Sequence, residues 1–168
     1  MEAATGLLPA PEGFRFEAVQ ADGVPAEWAW SESADPSRVL LYLHGGGYAI
    51  GSVKTHRSLA GALSRASGGR VLNVDYRLAP EHPFPAALDD AVAAYRWLLT
   101  QGVEPSRLAI AGDSAGGGLT LATLVALRDA GVPLPACAAP LSPWTDLAFT
   151  GESHETKLDE DPMVNEAG

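Results

Sequence analysis

The chain has 168 residues, the usual size of one domain, and its 46% hydrophobic and 19% charged residues are typical of a globular protein rather than a disordered one. The formal net charge of −10 disfavours nucleic acid and anionic membranes as partners, because both carry negative charge. The single cysteine, Cys137, excludes an internal disulfide and the usual zinc-ligand clusters, and no apolar run of about 18 residues is present to span a membrane. The first five residues lack the basic and apolar regions of a signal peptide, so we expect a cytoplasmic location.

Two short runs of alternating apolar and polar residues, 14–20 and 26–30, come first and predict half-buried antiparallel strands joined at the turn signal Asp22-Gly23. Four mostly apolar runs follow, each typical of a strand covered on both faces. They span residues 39–43, 71–75, 108–111 and 136–141. Three stretches with apolar residues at helical spacing alternate with these strands, at 52–66, 88–99 and 119–130. The alternation predicts an α/β fold in which helices cover both faces of a parallel sheet.

The helix predicted over 119–130 is apolar almost all round, which predicts central burial rather than a surface position. After Ser142 the periodic pattern ends, and residues 150–168 contain six acidic residues without regular spacing. We therefore divide the chain into an N-terminal segment over residues 1–13, a partial core over 14–149, and an acidic loop or disordered tail over 150–168.

The first motif with a chemical meaning is Gly112-Asp113-Ser114-Ala115-Gly116, which fits the pattern G-x-S-x-G. A predicted core strand precedes the motif and a predicted helix follows it, so we expect Ser114 on a sharp, strained strand-to-helix turn. The serine hydroxyl would then stand at the carboxyl end of the sheet. The amides of Ser114 and Ala115 would lie at a helix N-terminus, where positive partial charge favours a developing oxyanion. The alternative interpretation is a glycine-rich turn with an incidental serine.

A second motif, His44-Gly45-Gly46-Gly47-Tyr48, directly follows the first predicted core strand, so its loop can face the same crevice. Three consecutive glycines cost backbone entropy, which is reasonable if bare amides must point at a ligand. An ester carbonyl that becomes an alkoxide is one such ligand. The alternative interpretation is a tight, flexible turn.

Four motifs, in this order, resemble those of the hormone-sensitive-lipase-like esterases: His44–Tyr48, Asp75–Glu81, Gly112–Gly117 and Ser142–Leu147. The resemblance runs from about Phe14 to Met163, nearly the whole chain. It implies an α/β-hydrolase-type sheet, in which two N-terminal antiparallel strands precede the parallel ones. It also implies hydrolysis of short- to medium-chain acyl esters through an acyl-enzyme, with a small-molecule ester as the partner and with no metal or other cofactor.

The same resemblance assigns roles to individual residues. It implies that Ser114 is the nucleophile and that His44 supports the glycine loop (residues 44–48). The oxyanion hole would consist of backbone amides, those of Gly46, Gly47 and Ala115, with Gly45 as a further candidate. Three residues of the second motif would brace the loop beneath the site: Asp75, Arg77 and Glu81.

A serine nucleophile needs a histidine base oriented by a carboxylate, and in this fold both follow the serine in the chain. No strand is predicted after residues 136–141, so we expect the later strands and both triad partners to be missing and the chain alone to be inactive. The N-terminal end is also short for the family. His154 precedes Asp159 and Asp161, which is the reverse of the required order. Asp161-Pro162-Met163 only superficially resembles the family's acid motif.

Two other functions fit parts of the sequence. A catalytically dead α/β-hydrolase scaffold would keep the fold for binding or assembly. An incomplete sheet would expose the strand that carries Pro140, and this edge would self-associate or pair with a complementary C-terminal segment. The other function is that of a nucleotide-binding Rossmann-like module. It is suggested by three glycines that follow a predicted strand and by a later aspartate: Gly45, Gly47, Gly51 and Asp75. The spacing of the glycines departs from the G-x-G-x-x-G fingerprint.

Overall fold

The computed structural model describes residues 12–157, which contain six strands in one mixed sheet and four α-helices. The strands are β1 (Phe14–Ala21), β2 (Val24–Ser31), β3 (Asp35–Leu43), β4 (Gly69–Val74), β5 (Leu108–Asp113) and β6 (Cys137–Leu141). The helices are α1 (Arg57–Ser67), α2 (Ala86–Thr100), α3 (Ala115–Asp129) and α4 (Glu152–Thr156). A single 3₁₀ turn, Pro105–Arg107, precedes β5.

The strand order is β1-β2-β4-β3-β5-β6. β1 pairs antiparallel with β2, β2 pairs antiparallel with β4, and the four strands β3 to β6 are parallel. The hairpin between β1 and β2 turns at Asp22 and Gly23, whose φ angles of 55° and 83° suit a two-residue turn between twisted strands. This arrangement confirms the predicted α/β-hydrolase-type fold.

Separate hydrophobic cores lie on the two faces of the sheet. α2 and α3 pack on one face, where Leu43 meets Leu98 and Leu127 in one buried cluster. α1 packs on the other face, where Ala60 and Tyr42 belong to a second cluster. Alternate residues of β3 therefore point to opposite cores, which is why its sequence is apolar throughout.

The parallel register brings three loops to the same edge of the sheet. Leu43 at the end of β3 pairs with Gly112, and Asp113 at the end of β5 pairs with Leu141 at the end of β6. The glycine loop, the turn at Ser114 and the chain after β6 therefore all leave the sheet side by side. Ligands of open α/β sheets bind at this carboxyl edge.

Helix α1 begins later than predicted, at Arg57 rather than at residue 52. The amide of Ser52 donates to Thr55 Oγ1 at 3.0 Å and the amide of Thr55 donates to Ser52 Oγ at 3.3 Å, which closes a turn. Side-chain bonds of this kind compete with helical backbone bonds, and periodicity alone does not reveal them.

The helix predicted to be buried centrally corresponds to α3, which is only partly covered within residues 12–157. Leu127 of α3 is fully buried, whereas Leu121 and Val125 are 36% and 47% exposed. The helix packs one face on β3, β5 and β6, and the described residues cover its other face only in part.

The acidic segment predicted as a loop or tail contains the short helix α4 (Glu152–Thr156). The carboxylate of Asp146 folds the chain in front of this helix, because its Oδ2 accepts hydrogen bonds from the amides of Thr150 and Gly151 at 2.7 and 3.0 Å. Residues 1–11 and 158–168, with Asp159 and the tripeptide Asp161-Pro162-Met163, lie outside the described residues.

β6 pairs with β5 and with no other strand in the described part of the chain, so it forms one edge of the sheet. Pro140, which lacks an amide hydrogen, lies in this strand opposite Gly112. An edge strand tolerates such a residue because one side of its backbone makes no ladder bonds. None of the helices within residues 12–157 has the length and apolarity required to cross a membrane.

A buried ion pair joins β2 to α1 and thereby fixes the helix that follows the glycine loop. Glu27 has a side chain only 6% exposed, and Arg57 Nε donates to its Oε1 at 2.8 Å. We expect Arg57→Ala to lower the free energy of unfolding by about 2 kcal/mol, because the substitution leaves the buried carboxylate of Glu27 unpaired. The loss is moderate because Arg57 is 39% exposed, so water can reach the carboxylate once the arginine side chain is removed. Chemical denaturation measures this change.

Arg96→Ala is the matched control, since Arg96 is exposed on α2 and has no ion pair within residues 12–157; its effect should stay within about 0.5 kcal/mol. The double variant Glu27→Gln/Arg57→Ala should recover part of the loss. Equal stability of wild type and Arg57→Ala would contradict the assigned role of the pair.

Candidate active site

Ser114 lies on a sharp turn between β5 and α3, as the sequence predicts. Its φ and ψ angles of 52° and −118° fall in a region that residues with a side chain rarely adopt. Its amide donates to Leu141 O at 2.9 Å, and its carbonyl oxygen accepts from Trp144 N at 2.9 Å and Gly118 N at 3.1 Å. These bonds hold the strained backbone, and the serine residue itself is exposed. Within residues 12–157 its hydroxyl has no hydrogen-bond partner.

Two glycines allow α3 to pack directly against the sheet. A Cβ atom at Gly116 would lie 2.0 Å from Leu43 O, and one at Gly112 would lie 2.3 Å from Gly116 O. Real Cβ atoms do not approach backbone oxygens this closely, so any side chain here would push the helix away from β3. The helix N-terminus, with its positive partial charge, is therefore next to the start of the glycine loop.

The glycine loop adopts a conformation that depends on its glycines. Gly46 has a φ of 124°, and a Cβ there would lie 2.1 Å from Ile50 O. The carbonyl of Gly46 accepts from the amides of Ala49 and Ile50 at 3.0 and 2.9 Å, which closes the turn. The amides of Gly46, Gly47 and Ala115 have no acceptor among residues 12–157, so they are available to a ligand.

The amide of Gly45 is not available in the same way. It donates to Asp113 Oδ1 at 2.9 Å, and the buried hydroxyl of Tyr42 donates to the same oxygen. Asp113 directly precedes Ser114, so its carboxylate links the glycine loop to the turn that carries the serine. Asp113 was not among the site residues predicted from the sequence, although a carboxylate at the second position of G-x-S-x-G, next to the predicted nucleophile, was a usable signal.

His44 is fully buried beneath the glycine loop. Its ring stacks between those of His56 and Tyr76, at centroid distances of 5.3 and 4.3 Å, and its Nδ1 lies 2.8 Å from Gly45 O. A Cβ at Gly51 would lie 2.5 Å from this nitrogen, so the loop closes tightly over the ring. Burial lowers the pKa of His44, because desolvation disfavours the charged imidazolium.

None of the four histidines hydrogen-bonds to Ser114 in the part of the chain that the structure describes. His56 precedes α1, where its Nδ1 lies 2.8 Å from Thr55 Oγ1 and its Nε2 lies 3.9 Å from Asp113 Oδ1. His82 is exposed in the proline-rich turn before α2. His154 lies in α4, with its ring edge against Phe149 at a centroid distance of 4.6 Å.

The residues of the second motif have different surroundings. Asp75 Oδ1 accepts from the amide of Val53 at 3.0 Å, so it braces the segment that leads into α1. Arg77 forms a bidentate pair with the buried Asp90 of α2, with Nε–Oδ2 and Nη2–Oδ1 distances of 2.9 and 2.7 Å. Glu81 is exposed. A backbone-bonded Asp75 does not favour the nucleotide-binding interpretation, which needs this carboxylate for a ribose.

A cavity of about 410 Å³ lies at the opposite edge of the sheet, where Arg38, Arg107 and Cys137 are among its lining residues. These residues stand at the amino ends of the parallel strands, away from Ser114, so we assign the cavity no part in the site. Within residues 12–157, no group of three or more histidine, cysteine, aspartate or glutamate side chains is arranged to hold a metal ion.

Comparison with known proteins agrees with this geometry. A family model described as alpha/beta hydrolase fold matches residues 40–168. An acetyl-hydrolase from Streptomyces hygroscopicus is 52% identical over 164 residues, which cover 98% of this chain and 54% of that protein. An ethyl acetate hydrolase from Pseudomonas putida is 50% identical over 91 residues, which cover 52% of this chain and 28% of that protein.

Solved structures agree as well. The crystal structure of an esterase from the bacterial hormone-sensitive lipase family superposes with a TM-score of 0.94 and 54% identity, over 99% of this chain and 56% of that one. A hormone-sensitive lipase from a metagenome library gives a TM-score of 0.91 and 42% identity, over 98% of this chain and 56% of that one.

The chain belongs to the alpha/beta hydrolase fold family. Its resemblance to the hormone-sensitive-lipase-like esterases is confirmed by these relatives, which include an acetyl-hydrolase and an esterase of that family. The chain spans about half the length of the curated relatives that it matches most fully.

The lowered pKa of His44 predicts a pH dependence of stability. Below the unfolded pKa near 6.5, the unfolded chain takes up a proton that the folded imidazole does not, so the free energy of unfolding should fall as the pH falls. The contribution of this one group is at most about 2 kcal/mol by about pH 5. Urea denaturation between about pH 7.5 and pH 5 measures the slope.

His44→Gln should give a smaller slope than wild type, and His82→Gln, which removes an exposed histidine, is the matched control. If His44→Gln keeps the full wild-type slope, the neutral, buried imidazole is not the cause.

Proposed function

We propose that this chain supplies the nucleophile and the oxyanion hole of a serine ester hydrolase, with Ser114 as the nucleophile. The observation that carries the proposal is the strained, exposed Ser114 at the N-terminus of α3, next to a glycine loop whose amides have no acceptor within residues 12–157. A plain glycine-rich turn gives no reason to hold a serine at a φ of 52°.

The geometry supports an acyl-enzyme mechanism. Ser114 Oγ attacks the ester carbonyl carbon, and the carbonyl oxygen takes the negative charge of the tetrahedral intermediate. In this proposal the amides of Gly46, Gly47 and Ala115 donate to that oxygen, and the dipole of α3 adds to the stabilisation. The alcohol then leaves, and water hydrolyses the acyl-serine. We leave Gly45 out of the donor set because Asp113 already accepts from its amide.

Ser114 also needs a base, and no histidine hydrogen-bonds to it among residues 12–157. Both nitrogens of His56 face other groups, and Nε2 of the buried His44 has no partner. We therefore propose that the triad histidine and acid come from a segment that is not among these 168 residues, and that the 168-residue chain alone is inactive. Removal of the histidine in serine hydrolases costs on the order of 10⁶ in rate.

Short- to medium-chain acyl esters are the proposed substrates. Support comes from the relatives, which include the acetyl-hydrolase and the ethyl acetate hydrolase, and from a related esterase crystal soaked with p-nitrophenyl butyrate. A cytoplasmic location stays a prediction.

Hydrolysis of p-nitrophenyl butyrate tests the assignment of Ser114. We expect the 168-residue chain to hydrolyse it no faster than its Ser114→Ala variant does. A chimera that continues this chain with the C-terminal remainder of the Streptomyces hygroscopicus acetyl-hydrolase should be active, and Ser114→Ala should lower its kcat by about 10⁵- to 10⁶-fold.

Ser106→Ala is the matched control, because Ser106 is exposed in the 3₁₀ turn at the other edge of the sheet. A chimera that stays active without Ser114 would contradict the proposal. Rapid hydrolysis by the chain alone, abolished by Ser114→Ala, would support the nucleophile and overturn the proposed inactivity. A folded but inactive chimera would favour the scaffold interpretation.

We also propose that the β6 edge pairs with a further strand, from a complementary C-terminal segment or from a second copy of the chain. Unpaired backbone groups of an edge strand are a template for such pairing. Exposed apolar side chains accompany this edge and the adjacent face of α3: Leu121 and Val125 on the helix, Leu134 before the strand, and Leu141 within it.

Sedimentation velocity tests this pairing. The chain alone should self-associate with rising concentration, and Ala139→Lys in β6 should weaken the association about tenfold or more, because an edge lysine opposes strand pairing. Ala18→Lys, on the opposite edge strand β1, is the matched control and should have little effect. The edge is not a pairing surface if Ala139→Lys associates as wild type does and the C-terminal segment also fails to bind.

A further inference from the structure

The carboxylate of Asp113 stands where the glycine loop and the serine turn meet. Asp113 is the last residue of β5, and its backbone continues directly into Ser114. Its Oδ1 accepts from the amide of Gly45 at 2.9 Å and from the hydroxyl of Tyr42, which is fully buried. Burial and the neighbouring carboxylate raise the pKa of Tyr42, so the phenol is a neutral donor to this carboxylate.

The contact with Gly45 is close as well as directional. A Cβ at Gly45 would lie 2.3 Å from Asp113 Oδ2, so only a glycine lets the loop backbone approach the carboxylate. The next two residues of the chain are Gly46 and Gly47, whose amides have no acceptor within residues 12–157. Fixing the Gly45 peptide therefore restricts the directions in which these two amides can point.

Tyr42 holds the carboxylate of Asp113 in a fixed position. Tyr42 lies within β3 and belongs to the buried cluster under α1, so its hydroxyl is fixed by the core. Hydrogen bonds to an ionised acceptor are about twice as strong as those between neutral groups. His56 Nε2 lies 3.9 Å from the same oxygen, at the edge of the pairing distance, and bounds the carboxylate on another side.

We infer that Asp113 is a positioning residue that holds the glycine loop in register with Ser114 and so aims the amides of Gly46 and Gly47 at the oxygen that takes the negative charge. This inference rests on the proposed function for its chemical meaning. The carboxylate does not touch the substrate; it acts through the Gly45 peptide.

Amide hydrogen exchange, followed by NMR on the 168-residue chain, tests the inference. In Asp113→Ala the amide of Gly45 should exchange about tenfold faster or more, and the amides of Gly46 and Gly47 should change chemical shift, because the loop loses its anchor. Asp113→Asn should return the exchange rate to within about threefold of wild type, because the carboxamide oxygen still accepts from Gly45 and Tyr42.

Asp35→Ala is the matched control. Asp35 also accepts a backbone amide, that of Ser37 at 2.9 Å, but it stands at the start of β3, at the opposite edge of the sheet from the glycine loop. It should leave the exchange of Gly45 unchanged. If Asp113→Ala does not fold, Asp113→Ser takes its place, because the shorter side chain cannot reach the amide.

A second readout, the rate at which a fluorophosphonate probe modifies Ser114, separates this inference from the proposed function. In the chimera, Asp113→Ala should slow the modification about tenfold, Asp113→Asn should restore it, and Asp35→Ala should not slow it. Failure of the wild-type chain and of the chimera to react would contradict the proposed function and leave the exchange data to decide the role of Asp113. Unchanged Gly45 exchange in folded Asp113→Ala or Asp113→Ser, or equal acceleration in Asp35→Ala, would overturn the inference.

Discussion

The direct packing of α3 against the carbonyl end of β3 is the constraint on which the site depends. Gly116 lies against Leu43 O with no room for a side chain, and Gly112 lies equally close to Gly116 O. This approach forces the chain between β5 and α3 into a single strained residue, Ser114, and places a helix N-terminus beside the glycine loop. Neither element produces this arrangement alone, because the loop needs the nearby helix and the helix needs glycines to come near.

Polar contacts then fix the glycine loop and the serine turn relative to each other. Asp113 joins the glycine loop to the serine turn, and His44 fills the space beneath the loop between two aromatic rings. Tyr42 donates to the carboxylate of Asp113, and Tyr76 stacks on the ring of His44 and donates to its backbone carbonyl. The exposed residues Ser114 and Gly47 therefore lie above buried side chains. Sites supported in this way keep their geometry better than sites built on free loops.

The two edges of the sheet differ in composition. The hairpin of β1 and β2 ends the sheet on one side with an alternating, partly polar strand. On the other side, β6 carries Pro140, and apolar side chains remain exposed around it. The relatives extend over almost twice this length, and the chain covers 54% of the Streptomyces acetyl-hydrolase. Residues 12–157 hold the strained serine and the amides without an acceptor, and within this range no histidine hydrogen-bonds to that serine.

The sequence determined much of the fold and part of the candidate site. Strand and helix order, the hairpin at Asp22-Gly23 and the strained serine turn followed from apolar periodicity and glycine placement, because these signals are local. The boundary of α1, the partial exposure of α3 and the short helix α4 did not follow, because they depend on side-chain bonds and on which faces other elements cover. Only the tertiary structure decided that Asp113 binds the amide of Gly45 and that His44 stacks beneath the loop. Asp113 and Gly45 are 68 positions apart, and they meet only because parallel register aligns the ends of β3 and β5.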